Sequence, residues 1–379
     1  MKNAFDKNYK LGILGGGQLG RMLIQSGIDF NIPFAVLDPD AHAPCSTLAD
    51  FSHGKLTDFD TVMKFGATCD LITIEIENVN TAALKELVKQ GKKVYPQPEV
   101  IELIQDKRRQ KIFYRENEIP TAEFILVENA EDVKNNASFL PAVNKLGREG
   151  YDGRGVQLMH TKEDLSKAFD APGVLEKLIP FEKEIAVIVA RNERGEVKSF
   201  PAVEMVFHPI QNLVEYLFAP ADLSEEILTA SDAIAKTIIQ KINLVGILAV
   251  EMFVTREGKV LVNEIAPRPH NSGHQTIEAN DTSQYEQHLR AILNFPLGDT
   301  SLIVPSAMVN VLGEAGFEGA AQYQGMEEIL KLSGVHIHLY GKRITKPFRK
   351  MGHVTIVDAD LERLKKKADF VKQTLKVIA

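Results

Sequence analysis

Residues 11–100 alternate short apolar runs with segments of helical spacing, and this alternation limits the possible folds more than any other feature. The runs LGILGG, FAVLD and DLITIEI predict strands, and the pattern after the third run places Leu84 and Leu87 on one helical face. Strands that alternate with helices predict a parallel sheet with crossover helices. Pro96 and Pro98 interrupt the pattern and indicate a domain boundary.

The remaining sequence predicts mixed α+β structure, and 379 residues are enough for two or three domains. A charged helix ending near Pro120 precedes strand-like runs with one helical stretch near residues 162–169. Two hairpins follow, EIAVIVAR with VKSFPAVEMV and GILAVEMFVT with KVLVNEI, separated by a long helix at about 223–242. A linker at 296–305 leads to short strands and a C-terminal helix near 360–375.

Composition argues against several classes of protein. The net charge of −7 lacks the broad positive field that non-specific nucleic-acid binding uses. Cys45 and Cys69 form no CxxC pair, so neither a zinc site nor a disulfide framework is expected. The polar N-terminal segment resembles no signal peptide, and no apolar run is long enough to cross a membrane. We therefore expect a cytoplasmic protein without nucleic-acid or membrane partners.

A glycine motif lies between the first strand and its helix. Gly15, Gly17 and Gly20 fit the dinucleotide fingerprint, and Asp38 ends the second strand where a ribose-binding acid would lie. Taken alone, the motif indicates an NAD-binding enzyme, but the same turn serves many α/β folds, including turns without a ligand. We favour a loop that holds the phosphate of a nucleotide-like substrate.

Two carboxylates end the third predicted strand. Strand alternation places Glu75 and Glu77 on one face. The carboxyl ends of parallel strands are where open α/β sheets bind ligands. From periodicity alone, a solvated strand end explains the pair equally well.

The second hairpin carries two glutamates that are predicted to face each other. If residues 256–259 form the connection and Thr255 pairs with Val260, Glu251 falls opposite Glu264. Like charges across an antiparallel pair are destabilising, and apolar neighbours add to the cost. A divalent cation removes both penalties, and oxygen ligands favour Mg²⁺ completed by ATP phosphates and water. The alternatives are a protonated or outward-turned glutamate, or a one-residue register slip.

Residues 147–155 combine four glycines with two arginines. They predict a mobile, cationic flap whose N–H groups bind phosphate oxygens and whose closure excludes water. An ordinary surface hairpin rarely needs four glycines. Lys145 precedes the flap and could reach a phosphate. Glu176 and Glu184 flank residues 177–179 and suit ribose hydroxyls and the adenine amine, although taken alone they look like any strand edge.

Two further clusters carry positive charge or hydrogen-bond donors. Residues 266–274 follow Glu264 directly, and Arg268 there could brace a transferring phosphoryl group or a small oxyanion. The two histidines of this segment lack HExxH spacing, so they are not expected to be metal ligands. The second cluster predicts a phosphate monoester site, with a solvated basic turn as the alternative. It consists of Lys342, Arg343, Lys346, Arg349 and Lys350.

In this order, the pieces resemble the ATP-grasp superfamily and, within it, the 5-(carboxyamino)imidazole ribonucleotide synthase family over nearly the whole chain. The matching stretches are GILGGGQLGRM, TIEIENV, GYDGRG, EKLIPFEKE, GILAVEMFV, NEIAPRPHNSGH and KPFRKMGH. The resemblance implies an ATP-grasp fold of α/β and α+β class. It implies a Rossmann-like parallel-sheet domain at 1–105, an ATP-grasp domain at 106–298 with a lid at about 120–180, and a small, mainly β C-terminal domain at 299–379.

The resemblance also implies an ATP-dependent carbon–nitrogen ligase of de novo purine synthesis. Bicarbonate and ATP would carboxylate the amine of 5-aminoimidazole ribonucleotide, through carboxyphosphate or CO2 released from it, with Mg²⁺ as cofactor and a homodimer as the assembly. A formate-dependent glycinamide ribonucleotide transformylase is the nearest rival. An NAD-dependent dehydrogenase leaves the glutamate pair and the flap unused, and the intact acid and base residues argue against a non-catalytic nucleotide sensor.

Carried over residue by residue, the resemblance assigns four sets of residues. The ATP set is Lys107, Lys145, Gly150, Tyr151, Asp152, Gly153, Arg154, Gly155, Glu176, Lys177, Leu178, Ile179, Glu184, His208, Asn263 and Glu264. The ribonucleotide set is Gln18, Leu19, Glu75, Glu77, Tyr151, Asp152, Arg154, Arg268, His270, Asn271, Ser272, Lys346 and Arg349. The catalytic set is Lys145, Asp152, Arg268, His270 and Asn271, with Asp152 a candidate for the amine proton. The magnesium set is Glu251 and Glu264.

The chain departs from the family at two places. Before the flap, the family has more basic residues and another glycine where this chain has Gly147 and Glu149. After the central hairpin, simple counting puts Phe207 in the place of a family histidine, and His208 fits only after a one-residue shift.

Overall fold

The computed structural model describes residues 4–6, 8–148, 155–207 and 213–379. Its N-terminal part consists of β1 (Leu11–Leu14), α1 (Gln18–Ile28), β2 (Phe34–Asp38), β3 (Asp50–His53), α2 (Phe59–Ala67), β4 (Leu71–Ile74), α3 (Thr81–Lys89), β5 (Lys93–Val94) and α4 (Pro98–Ile104). The strands are parallel in the order β3-β2-β1-β4-β5, which confirms the predicted sheet. The order reverses between β1 and β4, and ligands bind open α/β sheets at such a point.

The sequence pattern does not predict β3 and β5. Strands β1 and β4 are buried along their whole length because helices cover both faces of the sheet, so they appear as apolar runs. Strand β3 is largely exposed at the edge of the sheet, and β5 is only two residues long. Neither strand needs an apolar run.

The middle part of the chain begins with α5, and a small sheet in the order β6-β9-β7-β8 precedes a large antiparallel sheet. Its elements are α5 (Lys107–Glu116), β6 (Phe124–Val127), α6 (Ala130–Asn135), β7 (Ala142–Leu146), β8 (Val156–Met159), β9 (Gly173–Lys177), β10 (Phe181–Arg191), β11 (Val197–Ser199), β12 (Val203–Phe207), β13 (Val214–Ala219), α7 (Glu225–Lys241), β14 (Gly246–Thr255), β15 (Val260–Ala266), α8 (Thr276–Ala279) and α9 (Gln284–Ile292). The predicted linker at 296–305 contains neither helix nor strand.

The first predicted hairpin differs from the structure in its second arm. Residues 197–206 were expected to form one strand, but the arm breaks at residues 200–202 into β11 and β12, both paired with β10. Pro201 has no N–H to donate to a ladder, so a break is expected there. Phe200 still donates its N–H to the carbonyl of Ile188 over 2.7 Å, which keeps the broken arm against β10.

The C-terminal part extends the large sheet. Its elements are β16 (Ser306–Leu312), β17 (Gly319–Ala320), β18 (Gln322–Gln324), α10 (Met326–Leu330), β19 (Val335–Leu339), β20 (Ile344–Thr345), β21 (Lys350–Val357), α11 (Leu361–Thr374) and β22 (Lys376–Ile378). The continuous strand order is β15-β14-β10-β12-β13-β16-β21-β19. The predicted mixture of short strands and a C-terminal helix is confirmed.

The largest buried cluster lies between α7 and one face of the large sheet. Ile185 and Val187 of β10 and Val250 and Met252 of β14 pack there against Ile238 and other residues of α7. Since side chains alternate along a strand, Glu184 and Glu251 project from the opposite face. The fold therefore assigns one sheet face to the core and leaves the other for a site. Within the described residues, no helix has the length and apolarity to cross a membrane.

Candidate active site

The predicted meeting of Glu251 and Glu264 is confirmed, although the predicted route to it is wrong. Val254, and not Thr255, pairs with Val260, so the turn is one residue longer than expected. A β-bulge between Glu251 and Met252 then shifts the register back, and Glu251 becomes the partner of Glu264. The two deviations cancel at the site.

The pKa values of the two glutamates are shifted in opposite directions. Lys107, at the start of α5, donates from Nζ to Oε2 of Glu264 over 2.8 Å, and this cation holds the pKa of Glu264 at about 2 despite burial. Burial, together with the charges of Glu264 and Glu184, raises the pKa of Glu251 well above its usual range. His270 lies 3.4 Å from Glu251, measured from Nε2 to Oε1. Glu264 is therefore shifted toward the ionised form and Glu251 toward the protonated form.

A second ionic cluster fills the floor of the cleft. Lys145 of β7 donates to Oε2 of Glu176 over 3.1 Å and to Oδ1 of Asn263 over 2.9 Å. Lys111 of α5 lies 3.2 Å from the same Glu176 oxygen. Burial alone would raise the pKa of Glu176, but the two lysines lower it, so the carboxylate is ionised. The cleft is lined by Lys107, Gln110, Lys111, Lys145, Glu176, Asn263 and Glu264.

Glu184 lies beside these clusters on β10. Burial and the negative charge of Glu264 raise the pKa of Glu184 to about 7, against the opposing effects of Lys145 and a hydrogen bond from Asn263. This carboxyl group therefore changes charge near neutral pH, where it can respond to a ligand.

Lys177 points away from the cleft. Its Nζ donates to the carbonyls of Phe139 and Leu140 over 3.0 and 3.4 Å. Its N–H donates to Glu123, and the N–H of Leu178 donates to Pro141. Any nucleotide contact at Lys177 is therefore left to its backbone carbonyl. Ile179 follows at the junction with β10, where its carbonyl accepts from the N–H of Phe181.

The glycine loop binds carboxylates of its own chain, which corrects the prediction that it holds a phosphate. The N–H groups of Gly17 and Leu19 donate to Glu75 over 2.6 and 3.1 Å, and the N–H of Gly16 donates to Asp38 over 2.7 Å. A phosphate placed against these carboxylates would be repelled. A Cβ at Gly17 would lie 2.3 Å from Oε1 of Glu75, so a larger residue there would displace this carboxylate from the loop.

Glu77 and Arg268 connect the N-terminal sheet with the large sheet. Nε of Arg268 lies 2.8 Å from Oε1 of Glu77. Glu75 and Glu77 therefore have different partners, so their predicted common face does not give them a common role. Gln18, the first residue of α1, directly precedes Leu19 at this edge of the sheet.

The segment after β15 is held by side-chain hydrogen bonds. Nδ1 of His270 lies 2.9 Å from the hydroxyl of Ser272, and Gln284 accepts the N–H of His270 over 2.8 Å. The amides of Asn271 and Asn310 exchange hydrogen bonds of 2.9 and 3.0 Å. The sequence did not indicate Asn310, which lies on β16 and belongs to the C-terminal part. The segment is therefore fixed from two sides.

Within the C-terminal basic cluster, side chains contact a carboxylate or backbone carbonyls. Lys346 pairs with Glu318 over 3.1 Å, and both side chains are more than half exposed. Arg349 donates from Nη1 to the carbonyl of Ile344 over 2.6 Å. Lys342 turns back to the carbonyl of Lys350 over 2.7 Å. Lys346 is therefore exposed beside Glu318, and the phosphate site at Lys346 and Arg349 stays a prediction.

Several predicted site residues lie outside the described residues. These are Gly150, Tyr151, Asp152, Gly153, Arg154 and His208. At the edge of the first gap, Gly155 has a positive φ of 75° and accepts the N–H of Leu146. At the edge of the second, Phe207 packs against a buried apolar cluster, which is a structural role. Among the described residues, no group of three or more His, Cys, Asp or Glu side chains is arranged for a metal ion.

Three domain families match the chain in succession. The ribonucleotide synthetase preATP-grasp domain matches residues 8–105, and the ATP-grasp domain matches 112–285. The phosphoribosylaminoimidazole carboxylase C-terminal domain matches 306–367. The described fold is accordingly an ATP-grasp fold with an N-terminal parallel sheet and a mainly β C-terminal part.

Relatives and solved structures resemble the chain over nearly its whole length. Phosphoribosylaminoimidazole carboxylase, chloroplastic, from Vigna aconitifolia is 38% identical over 93% of this chain, which spans 65% of that protein's length. N5-carboxyaminoimidazole ribonucleotide synthetase from Thermotoga maritima is 41% identical, with a TM-score of 0.90 over 98% of this chain and 99% of that chain. The Aspergillus clavatus N5-carboxyaminoimidazole synthase, solved with ADP and 5-aminoimidazole ribonucleotide, is 33% identical, with a TM-score of 0.87 over 97% and 98%.

Proposed function

The chain belongs to the N5-carboxyaminoimidazole ribonucleotide synthase family of ATP-grasp ligases, and we propose that it carboxylates the amine of 5-aminoimidazole ribonucleotide in an ATP-dependent step of purine synthesis. The observation that carries the proposal is one continuous site. Lys107 pairs with Glu264 near the end of β15, and Arg268, in the segment that follows β15, pairs with Glu77, in the segment that follows β4 of the N-terminal sheet. A nucleotide in the cleft and a ribonucleotide at the edge of the N-terminal sheet would meet there. A solved relative was determined in complex with ADP and this ribonucleotide, which supports a site for both ligands.

ATP is assigned to the cleft between the small sheet and the large sheet. Lys107 and Lys145 supply positive charge for phosphate oxygens. Glu176 would accept the exocyclic amine of adenine, and Glu184 would accept a ribose hydroxyl. In the structure the lysines pair with carboxylates of the cleft, which keeps the buried charges compensated before ATP enters.

The donor set fits Mg²⁺. Glu251 and Glu264 are cross-strand partners, the Lys107 ammonium compensates the charge of Glu264, and burial beside that charge raises the pKa of Glu251. Oxygen ligands of this kind, completed by phosphates and water, are what Mg²⁺ prefers. When bound, the ion would neutralise charge that develops on transferring phosphate oxygens. Lys107 would then be released from Glu264 and become available to ATP.

The proposed reaction has two steps. A bicarbonate oxygen attacks the γ-phosphorus of ATP, and ADP leaves, which gives carboxyphosphate. The ribonucleotide amine then attacks the carbon of carboxyphosphate, or of CO2 released from it, and phosphate and an amine proton leave. Arg268 and Lys145 would stabilise the negative charge of the phosphoryl group during its transfer. His270 and Asn271 would line the reacting centre. Asp152 stays the predicted proton acceptor.

The phosphate of the ribonucleotide is assigned to the C-terminal basic cluster. The glycine loop is excluded because its amides bind Glu75 and Asp38. Lys346 and Arg349 supply the positive charge that a phosphate monoester needs. Gln18, Leu19 and Glu75 would then face the sugar, and Ser272 would support His270.

Further assignments follow from the family and are part of the proposal. The domains are 1–105, 106–298 with a lid at about 120–180, and 299–379, which the three successive family matches support. A homodimer and a cytoplasmic location remain predictions.

The proposal is tested by measuring ADP release with 5-aminoimidazole ribonucleotide, with and without bicarbonate. We expect release to require both, and ¹⁴C from bicarbonate to appear in an acid-labile product. Stimulation by formate in place of bicarbonate would support the formyl-transfer alternative. ADP release at a rate that does not depend on the ribonucleotide would refute the substrate assignment.

A further inference from the structure

Lys111 is a buried cation of the cleft to which the preceding mechanism gives no role. Only 3% of its side chain is exposed. A lone buried ammonium is costly, so a lysine here needs compensating partners. Its Nζ lies 3.2 Å from Oε2 of Glu176 and donates to the hydroxyl of Thr121 over 2.6 Å. Lys111 follows Lys107 by four residues on α5, so both lysines face the same cleft.

Thr121 fixes Lys111 to the large sheet. The threonine hydroxyl accepts from Lys111 and donates to the carbonyl of Val262 over 2.7 Å. Val262 directly precedes Asn263, the partner of Lys145. The Nζ of Lys111 is thus held by two partners, Glu176 and the hydroxyl of Thr121, which is itself bonded to a backbone carbonyl.

Glu176 has two lysine partners at nearly equal distances, Lys145 at 3.1 Å and Lys111 at 3.2 Å. Under the proposed function, Lys145 turns toward the ATP phosphates. Without a second cation, Glu176 would then be a buried carboxylate without compensation, and burial would raise its pKa. A protonated carboxyl group is a poor acceptor for an amine.

We propose that Lys111 is a positioning residue that stays with Glu176 when ATP draws Lys145 away, and so keeps this carboxylate ready to accept the exocyclic amine of adenine. The inference rests on the proposed function, since it needs adenine beside Glu176. It makes Lys111 a determinant of which purine base the cleft selects, although Lys111 itself touches no substrate.

The test compares ATP with purine riboside triphosphate, which lacks the exocyclic amine. Hydrogen bonds to charged groups contribute enough that wild-type kcat/KM should favour ATP by about tenfold or more. In Lys111→Met the preference should fall to nearly one, chiefly through a higher KM for ATP. Lys111→Arg should restore much of it, because a guanidinium also pairs with a carboxylate. Lys89→Met, the same change at an exposed position, is the matched control and should behave like wild type.

Equal loss with both nucleotides in Lys111→Met would show that Lys111 only supports the fold, and would overturn the inference. An unchanged preference would also overturn it. If the methionine variant does not fold, calorimetric binding of ADP and purine riboside diphosphate to wild type and Lys111→Arg gives the answer. Equal wild-type affinity for the two diphosphates would show that Glu176 does not contact the exocyclic amine, and would refute the inference. Selective ADP binding that Lys111→Met loses, in a protein that carries out no carboxylation, would refute the proposed reaction and support the role of Lys111.

Discussion

His288 should make the protein lose stability in acid by an amount that can be calculated. It lies on α9, fully buried, with Nε2 2.9 Å from the hydroxyl of Thr73 on β4. Burial lowers the pKa of His288 to about 3, against an ordinary value of about 6.5 in the unfolded chain. The unfolded state therefore binds a proton that the folded state refuses. The contribution of neutral His288 to the free energy of unfolding is complete above about pH 6.5 and is lost as the pH falls toward 3. At pH 5 the protein has lost about 2 kcal/mol of this free energy.

The measurement is urea unfolding at pH 8 and pH 5, followed by far-ultraviolet circular dichroism, since the chain has no tryptophan. His288→Gln keeps a nitrogen donor near Thr73 and removes the titration. We expect the difference in unfolding free energy between the two pH values to be about 2 kcal/mol smaller in this variant. His274 and His353 shift in the same direction, but they are common to both proteins and cancel. His42→Gln makes the same change at an exposed position and serves as the control. An equal pH dependence in wild type and His288→Gln would refute the reasoning.

Three further predictions concern the site. Glu264→Gln should abolish nearly all ATP turnover while circular dichroism shows a folded protein, and wild-type ADP release in this variant would contradict the metal assignment. Alanine at Lys346 or Arg349 should raise KM for the ribonucleotide by about tenfold or more with little change in KM for ATP, measured by initial rates, because each removes a charge-assisted hydrogen bond to phosphate. Since burial raises the pKa of Glu184 to about 7, ADP affinity measured by calorimetry should fall by up to about fivefold from pH 7 to pH 6, and Glu184→Gln should lose this dependence.

The sequence predicts those parts of the fold that burial controls directly. Strands β1 and β4 are covered on both faces, and their apolar runs were found. The carboxylate pair at Glu251 and Glu264 was found because two like charges in an apolar hairpin need a physical reason. Strand β3 was missed because an edge strand with exposed side chains carries no such signal.

The glycine loop shows what local pattern cannot decide. Gly15 and Gly17 permit a close approach to the loop, but the pattern does not say which group approaches. The structure places Glu75 there, directly after β4, which is distant from the loop in the sequence. A carboxylate and a phosphate satisfy the same donors, so the fingerprint alone indicates only an anion. The partner depends on how β4 packs beside β1, which is a tertiary fact.

The bulge in β15 shows why the cleft itself could not be derived from strand alternation. Val262 and Ile265 both pack into the core beneath α7, although residues three apart in a regular strand face opposite sides. The extra residue of the bulge lets Asn263 and Glu264, which are adjacent in sequence, both line the cleft. Asn263 binds Lys145 and Glu264 binds Lys107, so both lysines depend on this irregularity. A regular β15 would turn one of the two side chains into the apolar core and leave its lysine without a partner, so the bulge is a requirement of the site.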